Sequence, residues 1–236
     1  MRSPARQDTA YVLHTRRYRE NSLLVDALTL KQGRLTLVAR APTKARRSIS
    51  EAVQPFREIT LAFHGRDDLQ TLERAEPLGP VPLLQGERLI SGLYVNELVV
   101  RLTGRGEGDE ALYRLYGRSV EALRGDGALE PLLRRFEVGL LEHCGYGVDF
   151  FATADTGVPI SPEGEYFFVP DAGFMAESPG PGAQCLRGRT LLALGGTLEF
   201  DAVSLREAKR FMRQLLQRQL GDRPLNARAL FGLPGD

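Results

Sequence analysis

The chain has 236 residues, of which 42% are hydrophobic and 26% charged, a composition typical of a globular protein with a sizeable core. No apolar run reaches the roughly 18–20 residues of a membrane-spanning helix, and the first residues lack the apolar region of a secretory signal. Two cysteines, Cys144 and Cys185, are too few for a disulfide framework or a four-cysteine metal site. We therefore expect a cytoplasmic protein that has no cofactor and no structural zinc.

Charge is distributed unevenly along the chain, although the net value is only +1. Residues 1–80 carry a net charge of +5, residues 81–186 carry −8 and residues 187–235 carry +5. Basic segments on either side of an acidic middle indicate local contacts with anionic partners rather than a uniformly basic surface.

The first eighty residues predict five short β-strands. Alternating polar and apolar residues, most regular in the third strand, place these strands at residues 11–15, 22–30, 34–40, 56–63 and 69–73. Lys31, Gln32 and Gly33 form the predicted turn between the second and third strands, because Gly33 can adopt a positive φ. Five such strands fit a small closed barrel of the OB type. Pro80 and Pro82 mark the linker that follows it.

Beyond this linker the apolar residues recur with the period of α-helices. The pattern predicts helices at residues 87–103, 109–123 and 129–144. A Gly- and Pro-rich segment, residues 146–185, includes a predicted β-hairpin formed by residues 166–169 and 174–175. Ser204 and Glu207 have the spacing of a capping box, which predicts a last helix that begins there and ends before Gly221.

These elements predict an α+β fold with two domains. Residues 1–80 form an N-terminal five-stranded OB-type β-barrel for nucleic-acid binding. Residues 81–236 form a mainly α-helical domain for partner binding, with a small β-hairpin insertion in a zinc-less segment at residues 146–185.

Sequence signatures of catalysis are absent. The chain has no phosphate-binding P-loop, no nucleophile elbow, no HExxH metal motif and no dinucleotide-binding glycine motif after a strand. Adjacent His143 and Cys144 would point about 100° apart on a helix, so they cannot act as base and nucleophile. The sequence therefore predicts a binding protein rather than an enzyme.

Basic side chains surround the predicted barrel. The polar loop after the third strand holds Lys44, Arg46 and Arg47, and such loops carry the ligand contacts of OB folds. Further arginines lie on or beside the predicted strands: Arg16, Arg17, Arg19, Arg34 and Arg40. A surface of this kind neutralises phosphates of a nucleic-acid strand without reading its sequence. The alternative interpretation is a loop that charge keeps soluble.

The last predicted helix carries a basic stripe. Arg206, Lys209, Arg210 and Arg213 recur at i, i+3, i+4 and i+7, beside an apolar face that includes Leu215. Such a stripe next to an apolar groove would bind an acidic peptide with an aromatic end. An ordinary solvated helix face is the alternative.

Short motifs along nearly the whole chain resemble, in the same order, the bacterial recombination mediator family RecO. They lie at residues 11–14, 33–40, 54–56, 91–98, 134–137, 145–147, 208–211 and 225–231. The resemblance implies a nucleoid-associated cytoplasmic protein without enzymatic turnover, which binds single- and double-stranded DNA and anneals complementary strands. It also implies action on strands coated with single-stranded-DNA-binding protein (SSB), with RecR and sometimes RecF, to help load the RecA recombinase.

The resemblance supplies a partner for the basic stripe, namely the acidic, Phe-ended tail of SSB. We expect Arg135 and the stripe to bind the carboxylates of this tail. If the first, third and last predicted helices pack together, an apolar slot for its terminal ring would be formed by Leu98, Phe136, Leu140 and Leu215. Many relatives carry a four-cysteine zinc module in this region, so here we expect aromatic residues to hold the hairpin instead.

Two other functions remain open from the residues alone. An OB barrel that tracks a phosphate backbone could bind RNA, because such binding largely tolerates either sugar. A protein-only adaptor could use the basic stripe for acidic tails, although the net charge of the predicted barrel argues against it.

Overall fold

The computed structural model describes residues 5–19, 22–40, 49–65, 69–106, 108–181, 183–222 and 225–227. These residues fall into two compact units. One holds the residues up to Gly127 and those after Pro224, and the other runs from Ala128 to Arg223. The two helices that follow the barrel belong to the same compact unit as the barrel, and the boundary predicted at residue 80 lies between the barrel and these helices. This domain boundary stays a prediction. Within the described ranges, no helix is both long enough and apolar enough to span a bilayer.

Five strands of the first unit form a closed barrel. They are β1 (Arg6–Tyr18), β2 (Ser22–Thr29), β3 (Gly33–Arg40), β4 (Glu58–His64) and β5 (Leu69–Pro77). Their order is β1-β2-β3-β5-β4, with β4 paired to β1, and β3 and β5 are parallel whereas the other neighbours are antiparallel. The predicted OB-type barrel is therefore confirmed. Gly33 ends the β2–β3 turn with a φ of 66°, as its position predicts.

Alternate residues of each strand fill the barrel. In β4, Ile59, Leu61 and Phe63 are buried, whereas the residues between them are partly exposed. A helical turn at residues 49–52 adds Ile49 and Ala52 to the same core. The two-residue period of the sequence thus indicates correctly which side chains point inward.

Two helices of the first unit pack on the outside of the barrel. In α1 (Gly86–Leu102), Asn96 donates a hydrogen bond of 2.7 Å to the carbonyl of Leu13. In α2 (Glu110–Arg124), the hydroxyl of Tyr113 donates to Glu58 at 2.8 Å. Outward-facing side chains of β2 and β3 are buried as well: Leu24, Leu28 and Val38. Much of the outer face of these two strands is therefore closed to a ligand.

The second unit combines three helices with a small sheet. Its elements are α3 (Leu129–His143), β6 (Glu165–Val169), β7 (Gly173–Met175), β8 (Gln184–Arg187), α4 (Gly188–Leu194) and α5 (Ala202–Leu220). The sheet has the order β7-β6-β8, and α5 packs against both α3 and α4. The predicted β6–β7 hairpin is confirmed, whereas β8 and α4 were not predicted.

The prediction for the start of the last helix is wrong. The N-cap of α5 is Asp201, whose carboxylate accepts the backbone N–H groups of Val203 and Ser204 at 2.9 and 2.7 Å. The hydroxyl of Ser204 accepts the N–H of Asp201 and completes the capping box. Glu207 instead accepts hydrogen bonds from Arg187 at 2.9 Å and from Thr190. The helix therefore begins at Ala202, ahead of the predicted start.

Aromatic rings hold the small sheet against α5. The ring centroid of Phe211 lies 5.0 Å from that of Phe168 and 5.5 Å from that of Phe174. Phe150 lies 6.1 Å from Phe174 and extends the cluster. These aromatic contacts hold the β6–β7 hairpin in place, which is the role that we expected of aromatic residues in this segment. No group of three or more His, Cys, Asp or Glu side chains could hold a metal ion, as far as the described residues extend.

Candidate nucleic-acid and peptide-binding surfaces

Exposed arginines cluster at the end of β1. From His14 to Tyr18, β1 pairs with β2, and its pairing with β4 ends earlier, at Tyr11. Arg16, Arg17 and Arg19 are all exposed. None of the three forms an ion pair with another residue that the structure describes. Their guanidinium groups are thus available to an anionic ligand.

Arg34, predicted to contact DNA, is engaged within the first unit. Its guanidinium donates to the carbonyl of Thr103 at 3.0 Å, and its own carbonyl accepts the N–H of Gly106 at 3.3 Å. Burial and the neighbouring Arg105 lower the pKa of Arg34. The side chain ties β3 to the segment after α1, so it has fewer donors for a phosphate than Arg16 or Arg17. A DNA contact by Arg34 stays a prediction.

Of the four other residues of the predicted DNA surface, the structure describes only one, Arg40. Arg40 is the last residue of β3. Lys44, Arg46 and Arg47 lie outside the described residues. Their contacts with DNA therefore also stay predictions.

The predicted basic stripe lies exposed on one face of α5. Lys209 forms an ion pair with Glu130 of α3. Arg206, Arg210 and Arg213 form no ion pair with any other described residue. Arg135 of α3 is also exposed and lies 3.4 Å from a carboxylate oxygen of Glu199. Three guanidinium groups of the stripe are thus available to carboxylates.

The apolar residues predicted to form the slot are interior residues. The side chains of Leu98, Phe136, Leu140 and Leu215 are at most 6% exposed. Burial closes Leu98, Phe136 and Leu140 to a ligand ring in this structure, because an amphipathic pattern indicates an apolar face but not whether other elements cover it. The slot formed by these residues stays a prediction.

An apolar groove of about 420 Å³ adjoins α5 in the second unit. It is lined by the end of β6 with Pro170, by Pro179 and Pro181, and by Phe211 and Leu215 of α5. The local sequence pattern does not predict this groove, although three prolines near an aromatic hairpin are a usable signal for it.

Arg218 stands at the rim of the groove, where its guanidinium lies 3.2 Å from the exposed carboxylate of Asp171. Arg210, Gln214 and Arg218 follow one another at i, i+4 and i+8, so they form one ridge along α5. This ridge connects the basic stripe to the groove.

Family models match both parts of the chain. The model for "Recombination protein O N terminal" matches residues 1–81, and the model for "Recombination protein O C terminal" matches residues 83–229. The chain belongs to the RecO family. The DNA repair proteins RecO of Shigella flexneri and Yersinia enterocolitica are each 40% identical to it over 94% of this chain and 92% of their own. That of Hamiltonella defensa is 39% identical over 94% and 95%, respectively.

Membership of the RecO family confirms the resemblance seen in the short motifs, and the OB-type barrel lies within the part matched by the N-terminal model.

Proposed function

We propose that this member of the RecO family is a DNA repair mediator. Its barrel binds single- and double-stranded DNA, and the protein anneals complementary strands and helps load RecA on SSB-coated single strands, together with RecR and sometimes RecF. It acts by binding rather than by turnover, in the cytoplasm at the nucleoid. The relatives that are named DNA repair protein RecO support a role in DNA repair. The group Arg16, Arg17 and Arg19 supports the DNA contact most directly.

The spacing of these arginines suits a nucleic-acid backbone. Arg16 and Arg17 are adjacent residues of β1 and Arg19 follows the end of the strand, so three guanidinium groups lie within four residues of the chain. Such a group of charges can neutralise more than one phosphate of a nucleic-acid strand. Guanidinium groups bind phosphates through paired hydrogen bonds. This contact depends on the backbone and is independent of the base sequence.

In the second unit we propose a binding surface for the acidic tail of SSB. Carboxylates of the tail would bind Arg206, Arg210 and Arg213, with Arg135 at the side. Charge-assisted hydrogen bonds of this kind are stronger than neutral ones. The terminal aromatic ring would enter the apolar groove, because the ridge of Arg210, Gln214 and Arg218 connects it to the stripe.

Calorimetry with a synthetic acidic, Phe-ended peptide tests the tail contact. Arg206→Glu and Arg210→Glu should each abolish peptide binding, since like charges would then face each other. Arg118→Glu is the matched control, because Arg118 is an exposed arginine on α2 in the other unit. All three variants should bind bare single strands as the wild type does. If Arg206→Glu and Arg210→Glu leave the peptide affinity unaltered, the basic stripe is only a solvated helix face.

Binding of labelled single strands, with and without SSB, tests the DNA contact. We expect a shifted complex in both cases. Competition with RNA of equal length distinguishes the proposal from an RNA-binding protein. A protein that binds the tail peptide but no nucleic acid would be the adaptor instead.

A further inference from the structure

A tyrosine and an arginine stack on each other where β1 ends. Tyr18 is the last residue of β1, paired with Ser22 of β2, and its side chain is only partly buried. The guanidinium carbon of Arg19 lies 5.3 Å from the centroid of the Tyr18 ring. At this distance a cation and a ring attract each other. The two side chains therefore form one contact pair, which directly follows Arg16 and Arg17 in the chain.

The backbone at Arg19 is in an unfavourable conformation. Its φ is 54°, in the left-handed region that residues with a Cβ rarely adopt. Neither the barrel core nor the aromatic pairs of the described residues include Tyr18. Positive φ values are common in the turns of β-hairpins, and Arg19 lies between Tyr18 and Ser22, which pair across such a turn. The stacked pair thus has the features of a ligand contact more than those of a core contact.

We propose that Tyr18 and Arg19 form a stacking platform for one unpaired nucleobase, while Arg16 and Arg17 bind the phosphates beside it. This inference rests on the proposed binding of DNA by the barrel. An aromatic ring and a planar guanidinium both stack on the face of any base, so the platform accepts every base. In a duplex the bases are already stacked on their neighbours and paired, and they cannot reach the platform. The platform therefore makes the barrel favour single strands.

Paired substitutions at Tyr18 test the platform. Tyr18→Leu keeps an apolar side chain but removes the ring, and Tyr18→Phe keeps the ring. We expect Tyr18→Leu to weaken binding of a labelled single strand about ten-fold, since one stacked base contributes roughly that factor or more. Tyr18→Phe should bind like the wild type. Binding of a duplex of the same length should be unchanged in both variants, as should the dependence of single-strand binding on salt.

Two results of this titration would overturn the inference. One is single-strand affinity that is the same in Tyr18→Leu as in the wild type. The other is an equal loss on single strand and duplex, which would indicate a structural role of the ring. If the wild type binds neither the single strand nor the duplex, the proposed function fails along with the platform.

A spectroscopic readout follows from the absence of tryptophan in the chain. Tyr18→Trp introduces a single indole at the platform, and its fluorescence reports stacking directly. We expect single-stranded DNA to quench this fluorescence and the matched duplex to leave it almost unchanged. Equal quenching by both, or quenching by neither while the single strand is bound, would contradict the platform. The thermal midpoint of each variant shows that it is folded, and we expect little change because Tyr18 is only partly buried and does not belong to the barrel core.

Discussion

Asn96 connects α1, α2 and the barrel through two buried hydrogen bonds. Its amide nitrogen donates to the carbonyl of Leu13 at 2.7 Å, and its amide oxygen accepts the hydroxyl of Tyr116 at 2.6 Å. Burial raises the pKa of Tyr116, so its hydroxyl stays a donor. The ring of Tyr11 lies between those of Tyr113 and Tyr116, with centroids 4.9 and 5.1 Å away. The side chain of Asn96 on α1 thus forms hydrogen bonds with groups of β1 and α2 in a contact that is otherwise aromatic.

We expect Asn96→Leu to lower the free energy of unfolding of the first unit by about 2–5 kcal/mol, because it leaves two buried polar groups without partners. Tyr116→Phe leaves only the amide oxygen of Asn96 without its donor and should cost about 1–3 kcal/mol. Urea unfolding followed by circular dichroism measures both. A loss below about 0.5 kcal/mol for Asn96→Leu would contradict this role, because it would match an ordinary surface substitution.

Asp201 makes the stability of α5 depend on pH. Hydrogen bonds from the backbone and then the side chain of Ser204 lower the pKa of Asp201 from 3.8 to about 2. A carboxylate whose pKa is lower in the folded than in the unfolded state stabilises the folded protein at pH values above the unfolded-state pKa. This stabilisation is lost as the pH falls through the pKa of the folded state. Asp201→Asn keeps the capping oxygen but not the charge. We expect the wild type to have the higher Tm at pH 5 and the difference to vanish near pH 2. A difference that is the same at both pH values would contradict this role of the charge.

At the scale of elements, the sequence predicts the barrel strands and the four long helices because their periods are regular. It misses α4, in which five of seven residues are buried, so that no polar face marks it. It misses β8, whose four residues are too short to show alternation. The start of α5 is ambiguous, because Asp201 and Ser204 are both good capping residues and only packing of Glu207 against Arg187 and Thr190 decides between them.

The candidate sites were predictable to different degrees. The positions of charges, such as Arg16 or Arg213, follow from the sequence because exposed arginines stay where the local element places them. Burial of Leu98 and the ion pair of Lys209 with Glu130 depend on residues far apart in the chain, which no local pattern reveals. The groove beside α5 likewise arises from three separate segments.

The aromatic cluster leads to a prediction for the sheet of the second unit. Phe174 is 1% exposed and contacts the rings of Phe168 and Phe211. We expect Phe174→Ala to destabilise this unit by about 3–5 kcal/mol, as for other buried phenylalanines. Phe151→Ala is the matched control, since Phe151 is 49% exposed and should cost much less. Equal losses in chemical unfolding would contradict a special role for the cluster.

We expect no structural zinc in the same segment, because the chain has only two cysteines and the described residues hold no cluster of side chains that could bind a metal ion. A strong chelator should leave the Tm of the purified protein unchanged. Zinc bound in a one-to-one ratio, measured by elemental analysis, would contradict this expectation.

At the scale of the whole molecule, the two proposed binding surfaces belong to different compact units. Arg16, Arg17 and Arg19 are in the first unit, whereas the stripe of α5 and the groove are in the second. Substitutions at sites that share no partners usually have independent effects. We therefore expect variants of the stripe and variants of the barrel to lose different partners.

The central claim is that basic groups of the barrel bind DNA phosphates, and the salt dependence of single-strand binding tests it most directly. Each neutralised phosphate of a single strand contributes about −0.7 to the slope of log affinity against log salt concentration. The double variant Arg16→Ala and Arg17→Ala should therefore flatten the slope by about 1.4. Alanine at Lys44, Arg46 and Arg47 should flatten it as well. The control, alanine at Arg114 and Arg118 of α2, removes the same charge as the double variant and should leave the slope unchanged. An unchanged slope in both barrel variants would contradict the account and place the DNA site elsewhere.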